Sequence, residues 1–250
     1  MPLLAPLTGT LTPLATGNLR QTLLTGLVSY WKLDEASGQA NDAHGVNHLT
    51  ANNNPVSGVG KINNARQFVR ASNQSLTLTG NSDLAFSVAG GASMTMSAWV
   101  YLDTKTNAYA LISRGSAGSP ASAFGYFLSY QTSGDRLRIQ WSTGSSTRTL
   151  NADNFGAVPT ATWLHIIAFI DRPNLRSGIR VNGGTINYDN STLYSIALNS
   201  ASLQFALGAI GSGTYHNGRI DEVGMWGRLL TDAEQLALYN SGAGLAYPFS

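Results

Sequence analysis

From about residue 26 onward, short apolar segments alternate with clusters of Gly, Asn, Ser and Asp, the pattern of antiparallel strands joined by turns. The apolar segments predict strands over Leu27–Leu33, Ala65–Val69, Ser75–Leu78, Thr95–Leu102, Tyr109–Ser113, Phe124–Tyr130, Arg136–Trp141, Trp163–Asp171, Gly178–Val181 and Gly218–Met225. Side chains alternate along a strand, so Met94, Met96, Ala98 and Val100 share one face while Thr95, Ser97, Trp99 and Tyr101 share the other. Trp163 to Ile170 is nearly continuous in apolar residues, which predicts a central strand covered on both sides, with His165 as a core or sheet-face histidine. One helix is predicted, opened by the capping box Thr231-Asp-Ala-Glu234, with Leu236 and Tyr239 on its apolar side and Gly242 at its end. No fixed-period repeat is present, which removes solenoids and propellers.

Residues 1–26 break this pattern. They are rich in Leu, Thr, Pro and Gly, carry Arg20 as their only charge, and follow neither the helical nor the strand period. They read as an extended arm lying against a neighbouring subunit or the domain's own surface, with residues 27–250 as one domain. Pro2, Pro6 and Pro13 interrupt any apolar helix and no basic stretch precedes them, so no signal peptide is read. No later run approaches the roughly 20 apolar residues of a membrane span. Its 15 basic and 13 acidic residues are scattered, which leaves no stripe to follow a nucleic-acid backbone. The absence of cysteine excludes disulfides, thiolate metal sites and cysteine nucleophiles.

Three stretches together resemble the laminin-G-like, concanavalin A-like superfamily. They are Gly26-Leu-Val-Ser-Tyr-Trp-Lys-Leu-Asp-Glu-Ala-Ser-Gly38; Asn41-Asp-Ala-His-Gly-Val-Asn-His-Leu-Thr50 with Gly60-Lys-Ile-Asn-Asn-Ala65; and Gly218-Arg-Ile-Asp-Glu-Val-Gly-Met-Trp226 with Leu229-Leu-Thr-Asp-Ala-Glu234 and Leu238-Tyr-Asn-Ser-Gly242. The resemblance covers about residues 26 to 245. It implies an all-β, antiparallel two-sheet jelly-roll sandwich with one short C-terminal helix. Members bind glycans, bind proteins or act as spacers, so the fold alone selects no activity. In laminarinase-like relatives an aspartate on the matching final strand helps hold a structural calcium ion. The resemblance therefore makes Asp221 a candidate metal ligand, with Asp34 and Asp42 in neighbouring loops as weaker ones.

Retaining glycoside hydrolysis needs two carboxylates about 5 Å apart. The only glutamates are Glu35, Glu222 and Glu234, none is four residues from another carboxylate on a strand, and Glu234 belongs to the helix cap. No nucleophile elbow is present, and His44 and His48 sit in a Gly- and Asn-rich stretch unsuited to a zinc-binding helix. The chain is accordingly expected not to be an enzyme. Sugar binding calls for an aromatic ring with polar groups beside it, which points to Tyr126, Tyr130 and Trp141, with Arg138 and Gln140 nearby. The alternative is that these rings fill the core.

An arm joined to such a domain resembles bacteriophage virion components. The expectation is a non-catalytic capsid-decoration or tail-associated protein at the particle surface, self-associating through the arm and contacting a capsid or tail protein. A free-standing lectin-like module that binds a cell-surface glycan is the alternative.

Overall fold

A computed structural model describes residues 19–86, 93–115, 123–196, 198–199, 203–211 and 213–249; residues 1–18 of the expected arm lie outside them. Alternating side chains give most strands one apolar face, and two sheets cover each other's. In chain order the strands are β1 (Leu27–Trp31), β2 (Thr50–Asn52), β3 (Val56–Val59), β4 (Asn64–Phe68), β5 (Ser75–Leu78) and β6 (Met94–Leu102). There follow β7 (Tyr109–Gly115), β8 (Phe124–Gln131), β9 (Arg136–Ser142), β10 (Thr147–Asn151), β11 (Trp163–Asp171) and β12 (Arg176–Val181). The last are β13 (Asn187–Asn190), β14 (Phe205–Leu207), β15 (Ala209–Ile210), β16 (Thr214–Tyr215) and β17 (Gly218–Trp226), ahead of helix α1 (Asp232–Tyr239).

One sheet runs β13-β12-β11-β6-β17-β4-β3, with β1 also paired to β17; the other runs β10-β9-β8-β7-β14-β5-β2. All ten predicted strands are present, with shifts of one or two residues at some ends. Between the sheets lie Met94, Met96, Ala98 and Val100 of β6, Leu164, Ile166, Ala168 and Ile170 of β11, and Trp31, whose ring stacks on Phe205 at 5.1 Å. The Trp31 indole N–H donates to Asn47 O at 2.8 Å, so its burial leaves no orphaned donor.

The outer face of the first sheet is covered too. Tyr30, Ile167, Phe169, Trp226, Leu230, Leu238, Leu245 and Phe249 form a second apolar cluster there, which explains why β11 reads as apolar on both sides. Leu23 belongs to this cluster, Trp226 Nε1 donates to its carbonyl at 2.7 Å, and Arg228 donates to Thr22 O and Thr25 O. Residues 19–26 therefore lie against the domain's own surface. His165 is buried, its Nε2 lies 2.8 Å from Ser97 Oγ, and burial pushes its pKa down to about 3.

Helix α1 has the predicted capping box: the Glu234 N–H donates to Thr231 Oγ1 at 3.2 Å and the Thr231 N–H to Glu234 Oε2 at 2.8 Å. Two details differ from expectation. Leu236 is 41% exposed, because the helix buries Glu234, Gln235 and Leu238 instead. Asn240, at φ 47°, ends the helix two residues before Gly242. Among the described residues no helix is long and apolar enough to cross a membrane.

Gly178 pairs with Phe169 on one side and Tyr188 on the other, and the Phe169 ring lies where a Cβ at 178 would stand. The bare backbone lets Phe169 reach edge-on to Tyr188, with ring centroids 6.1 Å apart. Gly178→Val is expected to lower stability by roughly 1–3 kcal/mol through overpacking. Urea titration checks this, and an unchanged midpoint would contradict it.

Candidate functional site

Period-two alternation decides where the expected sugar-binding residues go. On β8 and β9, Tyr126, Leu128, Tyr130, Leu137, Ile139 and Trp141 all face the core between the sheets. Tyr126, Tyr130 and Trp141 are at most 2% exposed, so the expected aromatic platform is corrected: these rings pack the interior and present no face to a ligand. The Tyr126 hydroxyl donates to Leu84 O at 2.8 Å, and burial raises its pKa. Tyr130 donates to Asp135 Oδ1 at 3.0 Å; burial and that carboxylate raise its pKa to about 12. Arg138 points the other way, onto the outer face, where its Nε donates to Asn151 Oδ1 at 2.9 Å. The four expected residues therefore do not share a surface. Phe127, half-buried on that outer face between Ser113 and Gln140, takes the outward place that Tyr126 leaves.

The aspartates are also divided among separate tasks. Asp42 Oδ1 accepts the amides of Tyr30, His44 and Gly45, and its Oδ2 that of Asn47, which closes the loop after β1. Asp34 accepts the Asn64 amide at 3.0 Å and pairs with Lys32 at 3.1 Å. Asp221 Oδ2 accepts the amides of Lys61 and Ile62 at 2.7 and 2.9 Å, while its buried Oδ1 has no partner among the described residues. A calcium ion needs 6–8 oxygens. The three aspartates sit in separate hydrogen-bond networks, and among the described residues no three His, Cys, Asp or Glu side chains gather as one.

Asp221 and Glu222 instead form a buried acid pair at a β-bulge, with Glu222 at φ 48°. The Tyr30 hydroxyl lies 2.5 Å from Glu222 Oε2. Burial pushes Asp221 up to about 8, aided by the charge of Glu222, and pushes Glu222 up to about 7.

A concave, polar surface occurs elsewhere, at the rim. A cleft of about 390 Å³ is lined by Arg70, Ala71 and Asn73 from the β4–β5 turn, Thr104, Thr106 and Asn107 from the β6–β7 loop, Tyr109, and Asn217 just before β17. Its walls are tied together locally. The Arg70 amide donates to Asn217 Oδ1 at 3.3 Å, the Asp103 amide to Asn217 O at 3.1 Å and the Asn73 amide to Arg70 O at 2.9 Å. The Thr104 and Tyr109 hydroxyls are 2.5 Å apart. Behind Tyr109, at the edge of its ring, lies buried His216, which burial pushes down to about 4 and so keeps neutral. Tyr130 stands one ring behind this wall, 5.9 Å from Tyr109. Sequence reading missed this cleft, because Arg70 and Asn217 are 147 residues apart and each looks like ordinary turn chemistry.

Residues 63–234 match the concanavalin A-like lectin/glucanases superfamily, in its laminin-G-like branch. The chain belongs to this superfamily. A search of curated protein sequences finds no match. Among solved structures, the chain is similar to domain 4 of the extracellular arabinanase AbnA from Geobacillus stearothermophilus, solved with arabinotriose. The identity is 17%, the TM-score 0.60, and the match covers 87% of this chain and 98% of that one. It is also similar to the binding domain of Paraclostridial Mosquitocidal Protein 1, at 16% identity and TM-score 0.69, covering 88% of this chain and 53% of the other. A third is a botulinum neurotoxin type C structure whose cell entry depends on two ganglioside molecules, at 12% identity and TM-score 0.63, covering 88% and 52%. The chain thus spans about half of each toxin structure. At these identities the likeness establishes the fold.

The acid pair makes stability depend on pH. A carboxyl raised in the folded state contributes fully below its ordinary value of about 4, and that contribution is lost as pH rises through the folded value. The melting temperature is expected to fall from about pH 4 to about pH 8, where the unfolded chain has lost these protons and the fold still holds them, and to level off once Glu222 and then Asp221 ionise in the fold. The Asp221→Asn, Glu222→Gln double variant should flatten this part of the profile in a thermal-melt series. Parallel profiles for variant and wild type would rule it out.

Proposed function

We propose that the chain is a non-catalytic carbohydrate-binding module whose rim cleft holds a sugar. The convergence of three asparagines, two threonines and a guanidinium in one concave site carries this reading. Sugars present many hydroxyls in fixed directions, and amides and hydroxyls can donate to and accept from them. The volume falls at the lower end of the roughly 300–1,000 Å³ of small-molecule pockets, which suits a chain end better than a long polymer. The arabinotriose bound to the arabinanase domain and the gangliosides of the neurotoxin support a cell-surface or polymeric glycan as partner. No Asp or Glu lies among the described residues lining the cleft, so it supplies no carboxylate pair for glycoside hydrolysis.

A glycan array that includes arabino-oligosaccharides and ganglioside oligosaccharides identifies the sugar, and calorimetry follows. Asn73→Gly, which keeps the left-handed turn, and Asn107→Ala are each expected to weaken binding about fivefold, the worth of one hydrogen bond of about 1 kcal/mol, without changing the melting temperature. Retention of no glycan, or wild-type affinity in both variants, would overturn the reading.

A second reading concerns the N-terminal segment. A groove of about 350 Å³, lined mainly by Leu19, Ala233, Leu236, Ala237 and Leu245, opens where the segment meets the domain. Leu3, Leu4, Leu7, Leu11 and Leu14 of a second copy suit it, which supports self-association through the arm and, with it, attachment to a capsid or tail at a virion surface. Light scattering is expected to show oligomers of the full chain. Removal of residues 1–18, and separately Leu236→Glu, should yield monomers. A monomeric full-length chain would dispose of this reading.

A further inference from the structure

We propose that the rim cleft is built for a sugar carrying a carboxylate, with the Arg70 guanidinium as its counter-charge. This rests on the glycan-binding reading of the same cleft and names the class of sugar it takes.

Arg70 is the one charged side chain among the described residues that line the cleft, and it makes no ion pair or side-chain hydrogen bond among the described residues. Six of the twelve arginines, by contrast, are ion-paired. Arg66 is paired with Glu35, Arg136 with Asp153, Arg148 with Asp189, Arg176 with Asp171, Arg180 with Asp232 and Arg228 with Glu234. Of the acids nearest the cleft in sequence, Asp135 is paired with Lys105 at 2.7 Å, and Asp103 accepts from Gln67 Nε2 at 3.1 Å. Neither forms an ion pair with Arg70, which leaves its guanidinium open to an incoming anion.

The backbone that carries this charge is held in place. The backbone of Arg70 is fixed on both sides, its N–H by Asn217 and its carbonyl by Asn73, while the Val69 N–H donates to Gln74 Oε1 at 2.7 Å. A short 3-10 turn over Arg70–Ser72 results, closed by Asn73 at φ 52°. A fixed Cα leaves only the side chain to order on binding, so less conformational freedom is lost. The guanidinium fork matches a planar carboxylate through two parallel N–H···O bonds, which a neutral hydroxyl cannot reproduce. Around it, Asn73, Asn107, Thr104 and Thr106 supply the donors and acceptors that a sugar ring needs beside its acid group.

The test uses matched probes by calorimetry on the full chain: sialyllactose against lactose, and trigalacturonate against galactotriose. At least one acidic member is expected to bind about tenfold or more tightly than its neutral partner, the fold-change of one charge-assisted contact. Arg70→Gln should bring the affinity for the acidic member down to that of its neutral partner with the melting temperature unchanged, and Arg70→Lys should restore only part of the preference, because an ammonium lacks the fork. Equal affinity for acidic and neutral members, or a preference that survives Arg70→Gln, would overturn the carboxylate assignment while leaving glycan binding standing. Binding of neither class, together with an array that retains nothing, would remove both.

Discussion

Strand β17 has to serve two partners along a single edge. Its first residues pair with β4 and its last with β1, while β6 runs along the other edge throughout. Between the two partners lies a gap in the ladder, at the residues where the bulge sits. Backbone amides facing such a gap need acceptors or they cost the full penalty of burial. Asp221 provides one: its Oδ2 takes the amides of Lys61 and Ile62, which precede β4, and Glu222 beside it meets the Tyr30 hydroxyl of β1. One acidic dipeptide thus fastens the chain's first strand and the approach to β4 to its last strand. The acids are buried for a structural reason, and the raised pKa values follow from that burial.

With that edge closed, the first sheet can be coated on its outer side. Residues 19–26, helix α1 and the C-terminal residues cover it, held by Trp226 Nε1 on Leu23 O and by Arg228, whose guanidinium also binds both oxygens of Glu234. Burial opposes ionisation of Glu234, yet Arg228 and the cap hold its carboxyl down to about 2. A face sealed by its own chain is closed to a ligand over that area. The rim remains, and there the connections hang from β4, β6 and β17, adjacent strands within one sheet. Loops rooted in such strands have little freedom, which suits a site that must hold several hydrogen-bonding groups in fixed directions.

Most interior strands were legible in the sequence because their neighbours bury both edges and at least one face; the exception is β14, whose three residues are too few to show a period. The missed strands include all four that end the two sheets, β13, β3, β10 and β2. Thr147-Arg-Thr-Leu-Asn and Asn187-Tyr-Asp-Asn carry polar residues because an edge strand faces water, and that erases the alternation that pattern reading uses. The capping box was legible because its chemistry is local. The outward-facing residues were not: which of Tyr126 and Phe127 faces outward depends on which face of the sheet meets its partner, and a shift of one residue inverts every assignment.

The same inversion explains why the expected ligand contact changes in kind. Had Tyr126, Tyr130 and Trp141 faced outward, the domain would offer a flat aromatic surface suited to a polymer lying along it. With those rings inside, they become the floor on which the rim is built. Tyr130 packs on Tyr109, Tyr109 on His216, and His216 on Phe68 of β4, so a line of buried rings runs from the core to the turn that carries Arg70. This aromatic chain fixes the two walls of the cleft relative to each other. What faces solvent is then a set of amides, hydroxyls and one guanidinium, so the proposed recognition at the rim would rest on hydrogen-bond direction and charge more than on stacking.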